Sequence, residues 1–453
     1  MMSFRLLPFT DERLLHILKS YPPALTYLVG FSGGADSTAL LFALKQLDDQ
    51  LETTLKAVHI NHGIHADADL WQEHCEIFCR EHDIPLVCCP VKLEGNSGYG
   101  MEAEARQLRY QAMSALLKPG DYLLTAHHAD DQAETLLLNL MRGSGVDGLS
   151  AMPQSRPFQP GILLRPLLNF ENSTLISYLA ENNIAWIEDP SNQLVNQDRN
   201  FIRHEVLPLL ENRWQGVNKR LLLTRNAMTE ARSLLERLAD EYLSQYLRHP
   251  FILQISDQLD EDPALFKLAI RRWLKQSAVP PIPVRSLESL FKQVCKALDG
   301  SKVKIQWGGW ILRLYQHQLW LQPESAQPHF SETSWPENET CVDLDADRGK
   351  LSLQGLNVYG PPAEFIVSNR SNCPVSSIKQ GKLHKRLKNL FQAAGIPEWF
   401  RDSIPLCLLN GELVAIGDWC FDDQFATWMS QNNIKLAWHP QNSLLQFIVA
   451  QQH

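Results

Sequence analysis

The sequence is short of several things, and each shortage closes off a class. It has no run of about 18 apolar residues, the least a membrane-spanning helix needs, so a membrane protein is not expected. Its start mixes Arg5, Asp11, Glu12 and Arg13 into the apolar residues, which leaves no uninterrupted core for a secretory leader. A cytoplasmic location is therefore expected. The nine cysteines contain no CxxC pair, so the familiar zinc and iron–sulfur spacings are missing. In a chain of 453 residues they do not read as a disulfide framework either. Positive charge is in deficit, with 42 Lys and Arg against 51 Asp and Glu. A net charge of −9 argues, by itself, against nucleic-acid binding. What matters more is where cations gather. Lys379, Lys382, Lys385, Arg386 and Lys388 fall within ten residues that hold no acid. That run reads either as a solvated helix face or as a set of phosphate contacts.

What is present is ordinary globular material, 44% hydrophobic and 21% charged. The length implies two to four domains, and no fixed-period repeat or low-complexity tract is seen. From Thr26 to Met141 apolar strands alternate with amphipathic helices, which means βαβ units, a parallel sheet buried on both faces and a doubly wound α/β fold. From about Gln215 to Pro323 the pattern is mostly helical, with short strands around the Gly308-Gly309 turn. A polar stretch from about Gln327 reads as a linker. Beyond it lie strands, a basic helix around Lys382 to Ala394, and an Asn410-Gly411 hairpin within Pro405–Ile416. The expected division is 1–214, 215–326 and 327–453.

Ser32-Gly33-Gly34-Ala35-Asp36-Ser37 leaves the first strand and enters the first helix. Two glycines permit close backbone approach, and successive N–H groups there can form an anion nest at a helix N-terminus. The position, at the carboxyl end of a strand, is where open α/β sheets bind ligands. The loop is neither GxxxxGK[ST] nor GxGxxG. Asp36 inside an anion site makes sense if a magnesium ion lies between carboxylate and phosphate. The competing reading is a Gly-rich turn that merely caps a helix.

The loop resembles the SGGxDS signature of the PP-loop ATP pyrophosphatases. Further segments narrow the resemblance, in order, across roughly residues 25–210. These are His59-Ile-Asn-His62-Gly63, Glu102-Ala-Glu-Ala-Arg106-Gln-Leu-Arg109-Tyr110, Thr125-Ala-His127-His128-Ala-Asp130-Asp131-Gln-Ala-Glu134, Arg165-Pro-Leu-Leu168, Glu188-Asp-Pro-Ser-Asn192 and Arg199-Asn-Phe-Ile-Arg203. Together they are similar to the long, three-domain form of the tRNA(Ile)-lysidine synthetase family. Gly381 to Phe391 and Ile396 to Asp402 extend the likeness more loosely. The resemblance implies ATP and Mg2+ as cofactors and L-lysine and an isoleucine tRNA with a CAU anticodon as partners. It also implies an adenylated tRNA intermediate and no membrane; a homodimer is compatible with it. Ser32, Gly33, Gly34, Ala35, Asp36, Ser37 and His62 would contact ATP. Asp36, His127, Asp131 and Glu134 would be catalytic, with Asp36 and Asp131 toward magnesium. Arg106, Arg199 and Arg203 would face the nucleotide substrate, and Lys382, Lys385 and Arg386 the tRNA backbone.

Blander readings stand beside these. Asp131 and Glu134 share a helix face near its N-terminus, where acids complement the dipole. Arg106 and Arg109 can snorkel over a helix, His62 can be a strand-end histidine, and Arg199 and Arg203 can be surface charges. Trp71 and Trp307-Gly-Gly-Trp310 can stack on bases or fill a core. The rival function, tRNA thiolation, needs cysteine pairs or a persulfide carrier.

Overall fold

The computed structural model describes residues 8–63, 67–91, 101–188, 197–256, 262–297, 303–324, 330–345, 347–355 and 360–452. Two compact units divide the chain, Met1–Leu234 and Leu235–His453.

In the first unit β1 (Thr26–Gly30), β2 (Thr54–Asn61), β3 (Leu86–Pro90) and β4 (Tyr122–Leu124) alternate with helices. The helices are α1 (Asp11–Lys19), α2 (Ala35–Gln46), α3 (Ala68–Glu81), α4 (Met101–Ala115) and α5 (Ala129–Met141). Tyr27, Leu28, Val29, Leu123 and Leu124 are all buried. These two strands are apolar on both faces because helices cover both faces. The sheet order is β3-β2-β1-β4-β6-β5, with every pair parallel except β5 against β6. The chain thus leaves β1 toward β2 on one side, while β4 lies on the other. That reversal opens a crevice at the carboxyl ends of β1 and β4. It is where Ser32–Ser37 and Thr125–His128 emerge.

The sheet goes beyond the four expected strands. A hairpin of β5 (Ser155–Phe158) and β6 (Gly161–Leu164) adds an edge. Pro157 is tolerated because β5 is the edge strand, and Pro160 lies in the turn between the two strands. Gly161 faces the backbone of β4's approach: a Cβ there would sit 2.3 Å from the Asp121 carbonyl oxygen. A short α6 (Val146–Leu149) precedes this hairpin, and α7 (Asn172–Glu181) packs on α2 after it. The chain then runs through a helical turn Asp198–Phe201, a π-helical turn Ile202–Val206 and helices Leu207–Arg213 and Val217–Tyr246.

The second unit holds two hydrophobic clusters. One surrounds Trp273, Phe266 and Leu290, between helices Pro263–Gln276 and Val284–Ala297 and an antiparallel sheet made by Leu247–His249, Ile252–Gln254, Gln318–Pro323, Trp310–Tyr315 and Lys304–Trp307. Trp307 and Trp310 belong to this core. The Trp307 indole is buried and donates to the Pro280 carbonyl at 2.9 Å, while Trp310 is partly buried with its ring 5.9 Å from that of Phe251. The other cluster centres on Trp335, Phe365 and Phe391. Asn410 and Gly411 have φ of 51° and 83° and close the hairpin of Leu406–Leu409 and Glu412–Ile416, as Asn-Gly requires. Part of the expected linker, residues 325–329, lies outside the described residues.

The basic run needs a correction. It is not one helix from Lys382. Ser377–Gln380 and Leu383–Arg386 pair as an antiparallel hairpin around Gly381-Lys382, and the helix begins only at Leu387. Gly381, at φ 62°, makes the two-residue turn possible. The spacing of Leu383, Leu387, Leu390 and Phe391 imitated a helical stripe that begins one strand too early.

Replacing Gly161 with Ala should push β6 off Asp121. A loss of about 1–3 kcal/mol is expected from such overpacking, read as a lower urea midpoint; an unchanged midpoint would show that β6 yields freely.

Candidate active site

The loop after β1 is held open from below. Gly33 has φ 83°, and a Cβ on it would come within 2.8 Å of the Ile187 side chain and 3.2 Å of the Cys75 sulfur. Its carbonyl accepts from the Ile187 N–H at 2.8 Å, so a segment 154 positions downstream clamps the loop. Gly34 starts α2 with no side-chain cap, which leaves the first-turn N–H groups without an intrahelical acceptor. Ser37 and Thr38 turn inward: the Thr38 hydroxyl donates to the Gly34 carbonyl at 3.0 Å, and Ser37 Oγ to the same oxygen at 3.1 Å. Ser37 Oγ also accepts the Ser32 N–H at 3.2 Å, and Ser32 Oγ the Gly34 N–H at 3.4 Å. Two loop amides therefore rest on the loop's own hydroxyls, weak partners that an anionic oxygen can replace. Ala35 and Asp36 are half-buried at the rim.

Across the crevice, α5 presents its N-terminus. His128 occupies its N-cap position, and Asp131 Oδ2 accepts the His128 N–H at 3.0 Å. Asp36 Oδ2 and Asp131 Oδ2 each lie 3.5 Å from His128 Nε2, and Asp130 Oδ2 lies 3.3 Å from Nδ1. Burial opposes a proton on this ring, but Asp131, Asp130 and Asp36 outweigh it and raise its pKa well above the ordinary value. With both nitrogens protonated, Nδ1 donates to Asp130, which sets aside the alternative of accepting from the Asp130 N–H at 3.2 Å. His127 is the opposite case. Burial, with Arg165, Arg199 and Arg106 adding to it against Asp131, lowers it to about 3. Its Nδ1 lies 3.0 Å from the Thr125 hydroxyl. Two adjacent histidines thus carry different charge at neutral pH, and neither is poised to take up a proton there.

Asp131 and Glu134 are almost wholly buried, and Arg199 and Arg203 close over them. Arg199 Nε meets Glu134 at 2.6 Å and its Nη2 meets Asp131 at 2.8 Å. Arg203 Nε meets Glu134 at 2.5 Å and its Nη2 meets Asp131 at 3.2 Å. Each guanidinium bridges both carboxylates, the planar fork being suited to this. Burial alone would raise the Asp131 pKa, yet His128, Arg199 and His127 bring it down to about 2. The two arginines are thus neither loose surface charges nor idle donors; they neutralise buried acids.

The other expected residues are placed as follows. Asp36 Oδ1 accepts from Asn172 Nδ2 at 2.6 Å. His62 follows the end of β2, half-buried, its pKa lowered by burial and by Arg109 and His59. Arg106 is exposed on α4 with its guanidinium 5.3 Å from the Tyr110 ring. Lys382, Lys385 and Arg386 are exposed on the hairpin of the second unit. Of the segment Glu188 to Asn192, only Glu188 lies within the described residues. Sequence reasoning did not find Asn172, which ties Asp36 to Asp130 through a second bond, Asn172 N to Asp130 Oδ2 at 2.9 Å. It also missed the Ile187 clamp. An asparagine starting a helix reads as a cap, and nothing in the spacing joins it to Asp36.

A hard cation finds few ligands. Asp131 spends both oxygens on arginines and His128, whereas the Asp36 side chain is 35% exposed at the loop rim. Among the described residues no group of three or more His, Cys, Asp or Glu is arranged around a metal position. Magnesium needs no such cage when phosphates supply most of its ligands, and one or two carboxylates then suffice. Asp36 is the carboxylate at the loop rim, its Oδ1 accepting from Asn172 and its Oδ2 3.5 Å from His128 Nε2. The nearby thiols are inert: burial pushes Cys79 up to about 12 and Cys88 up to about 11, and raises Cys75 and Cys89 as well.

The comparisons agree with this geometry. A PP-loop domain model matches residues 8–210, so the class that the sheet and loop define is a PP-loop, ATP-binding enzyme. A TilS substrate binding domain matches 253–320 and a TilS substrate C-terminal domain 367–438. The chain is 36% identical to the tRNA(Ile)-lysidine synthase of Methylococcus capsulatus, covering 92% of this chain and 97% of that protein. It is 37% identical to the Xylella fastidiosa enzyme of the same name, over 93% and 97%, and 36% identical to the Salmonella typhimurium one, over 91% and 96%. The chain belongs to the tRNA(Ile)-lysidine synthase family.

Glu134→Ala should strand two guanidinium groups over Asp131 alone. Breaking a buried ion cluster this way costs about 3–5 kcal/mol, more than Arg203→Ala, which leaves Glu134 its bond to Arg199. Denaturant unfolding of both variants checks the order; equal midpoints would dissolve the cluster's claim to hold the site together.

Proposed function

We propose that this enzyme joins lysine to C2 of the wobble cytidine in the CAU anticodon of tRNA(Ile), using ATP and forming lysidine. That product changes the codon read from AUG to AUA. The observation that carries the reading is the crevice between β1 and β4, where an uncapped helix start faces a pinned pair of buried acids. Family membership supports ATP use and lysidine formation on tRNA(Ile); the roles below are inferred from chemistry.

ATP phosphates take the amides and hydroxyls of Ser32–Ser37, displacing the serine oxygens that occupy them. A magnesium ion, when bound, supplies charge neutralisation for the phosphates, and Asp36 would hold it. Ala35 and His62 border the nucleotide. The exocyclic O2 of the cytosine attacks the α-phosphate, pyrophosphate leaves, and C2 of the adenylated base becomes open to displacement. Arg106, exposed on α4, would meet the nucleotide substrate. Lysine enters with its ammonium toward Asp131 and Glu134, taking over part of the contacts those carboxylates make with Arg199 and Arg203. The positive charge of the two arginines lowers the pKa of the incoming ammonium. That favours the free amine, its proton passing to solvent water, which suits a site where His127 is a poor base and His128 already carries its proton. The amine displaces AMP, and Asp131 and Glu134 hold the product's new N–H. The inert thiols support this chemistry over sulfur transfer, which would need an accessible thiolate. The second unit grips the tRNA, its basic hairpin meeting phosphates.

Asp36→Ala should reduce lysidine formation by at least a hundredfold while tRNA binding stays within about twofold, measured by product analysis and filter binding. Full turnover in that variant would mean the loop does not serve ATP. Changing Lys382, Lys385 and Arg386 to Ala should weaken tRNA binding and lower the slope of log K against log salt by about two to three, near one per lost phosphate contact. An unchanged slope removes the hairpin from the tRNA interface.

A further inference from the structure

The second unit carries a recess that the lysidine chemistry does not use. It measures about 290 Å³ and is lined by Trp419, Phe421, Met429, Ile434, Lys435 and Asp418, among others. That is the low end for ligand sites, closer to one ring system than to a whole nucleotide. Its aromatic wall is set in advance. Gly417 has φ 54°, and a Cβ on it would come within 2.0 Å of the Trp419 ring, so only glycine lets the indole lie where it does. Trp419 then leans on Trp438, ring centroids 6.3 Å apart at 37°. Trp438 is itself fixed, its N–H on Asp418 Oδ2 at 3.1 Å and its indole N–H on the Arg348 carbonyl at 2.7 Å. Trp419 nevertheless stays half-exposed.

The basic hairpin is stitched to the wall of this recess. Gln380 Nε2 donates to the Phe421 carbonyl at 3.0 Å, and the Gly381 N–H to Asp423 Oδ2 at 2.6 Å. Lys379, Lys382, Lys385 and Arg386 are all exposed on that hairpin, and Lys435 is exposed at the recess itself. A rigid aromatic face beside clustered cations is the combination that binds unpaired nucleotides, with the ring taking a base and the cations its phosphates. Trp419, Phe421, Met429 and Lys435 all fall within the matched TilS substrate C-terminal domain, residues 367–438.

We infer that this recess takes one unpaired nucleobase of the tRNA, stacked against Trp419, while Lys435 and the hairpin hold the flanking phosphates. The inference rests on the tRNA reading above and goes beyond it: the C-terminal unit recognises an unstacked base as well as a charged backbone. Base stacking releases no counterions, whereas phosphate contacts do, so the two contributions separate by salt.

The test is titration of the full-length protein with a tRNA(Ile) transcript at several salt concentrations. A fully paired RNA duplex serves as the control ligand. Wild type should bind the tRNA. Trp419→Ala should bind it about tenfold or more weakly with the same salt slope, Trp419→Tyr should recover most of the loss, and duplex binding should not change. A folded Trp419→Ala protein with wild-type tRNA affinity overturns the stacking site. An equal loss on the duplex overturns the unpaired base. Should Trp419→Ala lose its cooperative thermal transition, Lys435→Glu decides, because that side chain is exposed: weaker tRNA binding supports the recess and unchanged binding overturns it. If wild type itself binds no tRNA, the functional reading fails, a result distinct from loss of the recess alone.

Discussion

A buried carboxylate stays ionised only where cations come to it, and the first unit is organised around that constraint. Asp131 and Glu134 sit on one face of a helix that opens at the crevice, nearly sealed from solvent. Uncompensated, such charges would cost several kcal/mol each or be lost to protonation. Arg199 and Arg203 arrive from a different part of the chain to bridge both, and His128 adds a third positive group from the helix cap. A buried ion cluster seldom adds net stability. Its worth here is a fixed arrangement of ionised carboxylates and guanidinium groups beside the loop that follows β1.

The parallel sheet makes that proximity possible. Because β1 and β4 are neighbours with their connections going opposite ways, the loop after one and the helix after the other share a crevice. Asp36 and Asp131 consequently meet the same histidine nitrogen, though 95 positions separate them. Asn172, at the head of α7, then ties Asp36 to Asp130. These few bonds join the loop after β1 to the start of α5.

Much of the fold was legible because its central strands are apolar on both faces and its helices are not, a contrast that survives in one sequence. The turn from β1 into α2 was legible because its glycine pair follows an apolar strand, and Gly33 does take a positive φ of 83°. The Asn410-Gly411 turn was read correctly because its positive φ values demand those residues. What failed did so where local pattern and tertiary structure disagree. Leu383 to Phe391 carries helical spacing, yet Gly381 turns the chain and its first four residues pair as a strand. The β5–β6 hairpin was hidden by two prolines, one in the edge strand and one in the turn. The pairing of Arg199 and Arg203 with Asp131 and Glu134 was not legible, because those partners lie 65 to 72 positions away. No periodicity reports contacts at that range.

The decisive measurement is pyrophosphate release by the wild-type enzyme from ATP, with tRNA(Ile), lysine, both or neither present. If the crevice activates the cytidine, pyrophosphate and AMP-linked tRNA should appear once tRNA(Ile) is supplied, and lysine should convert that tRNA to lysidine and free AMP. Pyrophosphate formed from lysine without tRNA, or release of ADP and phosphate in its place, would contradict it.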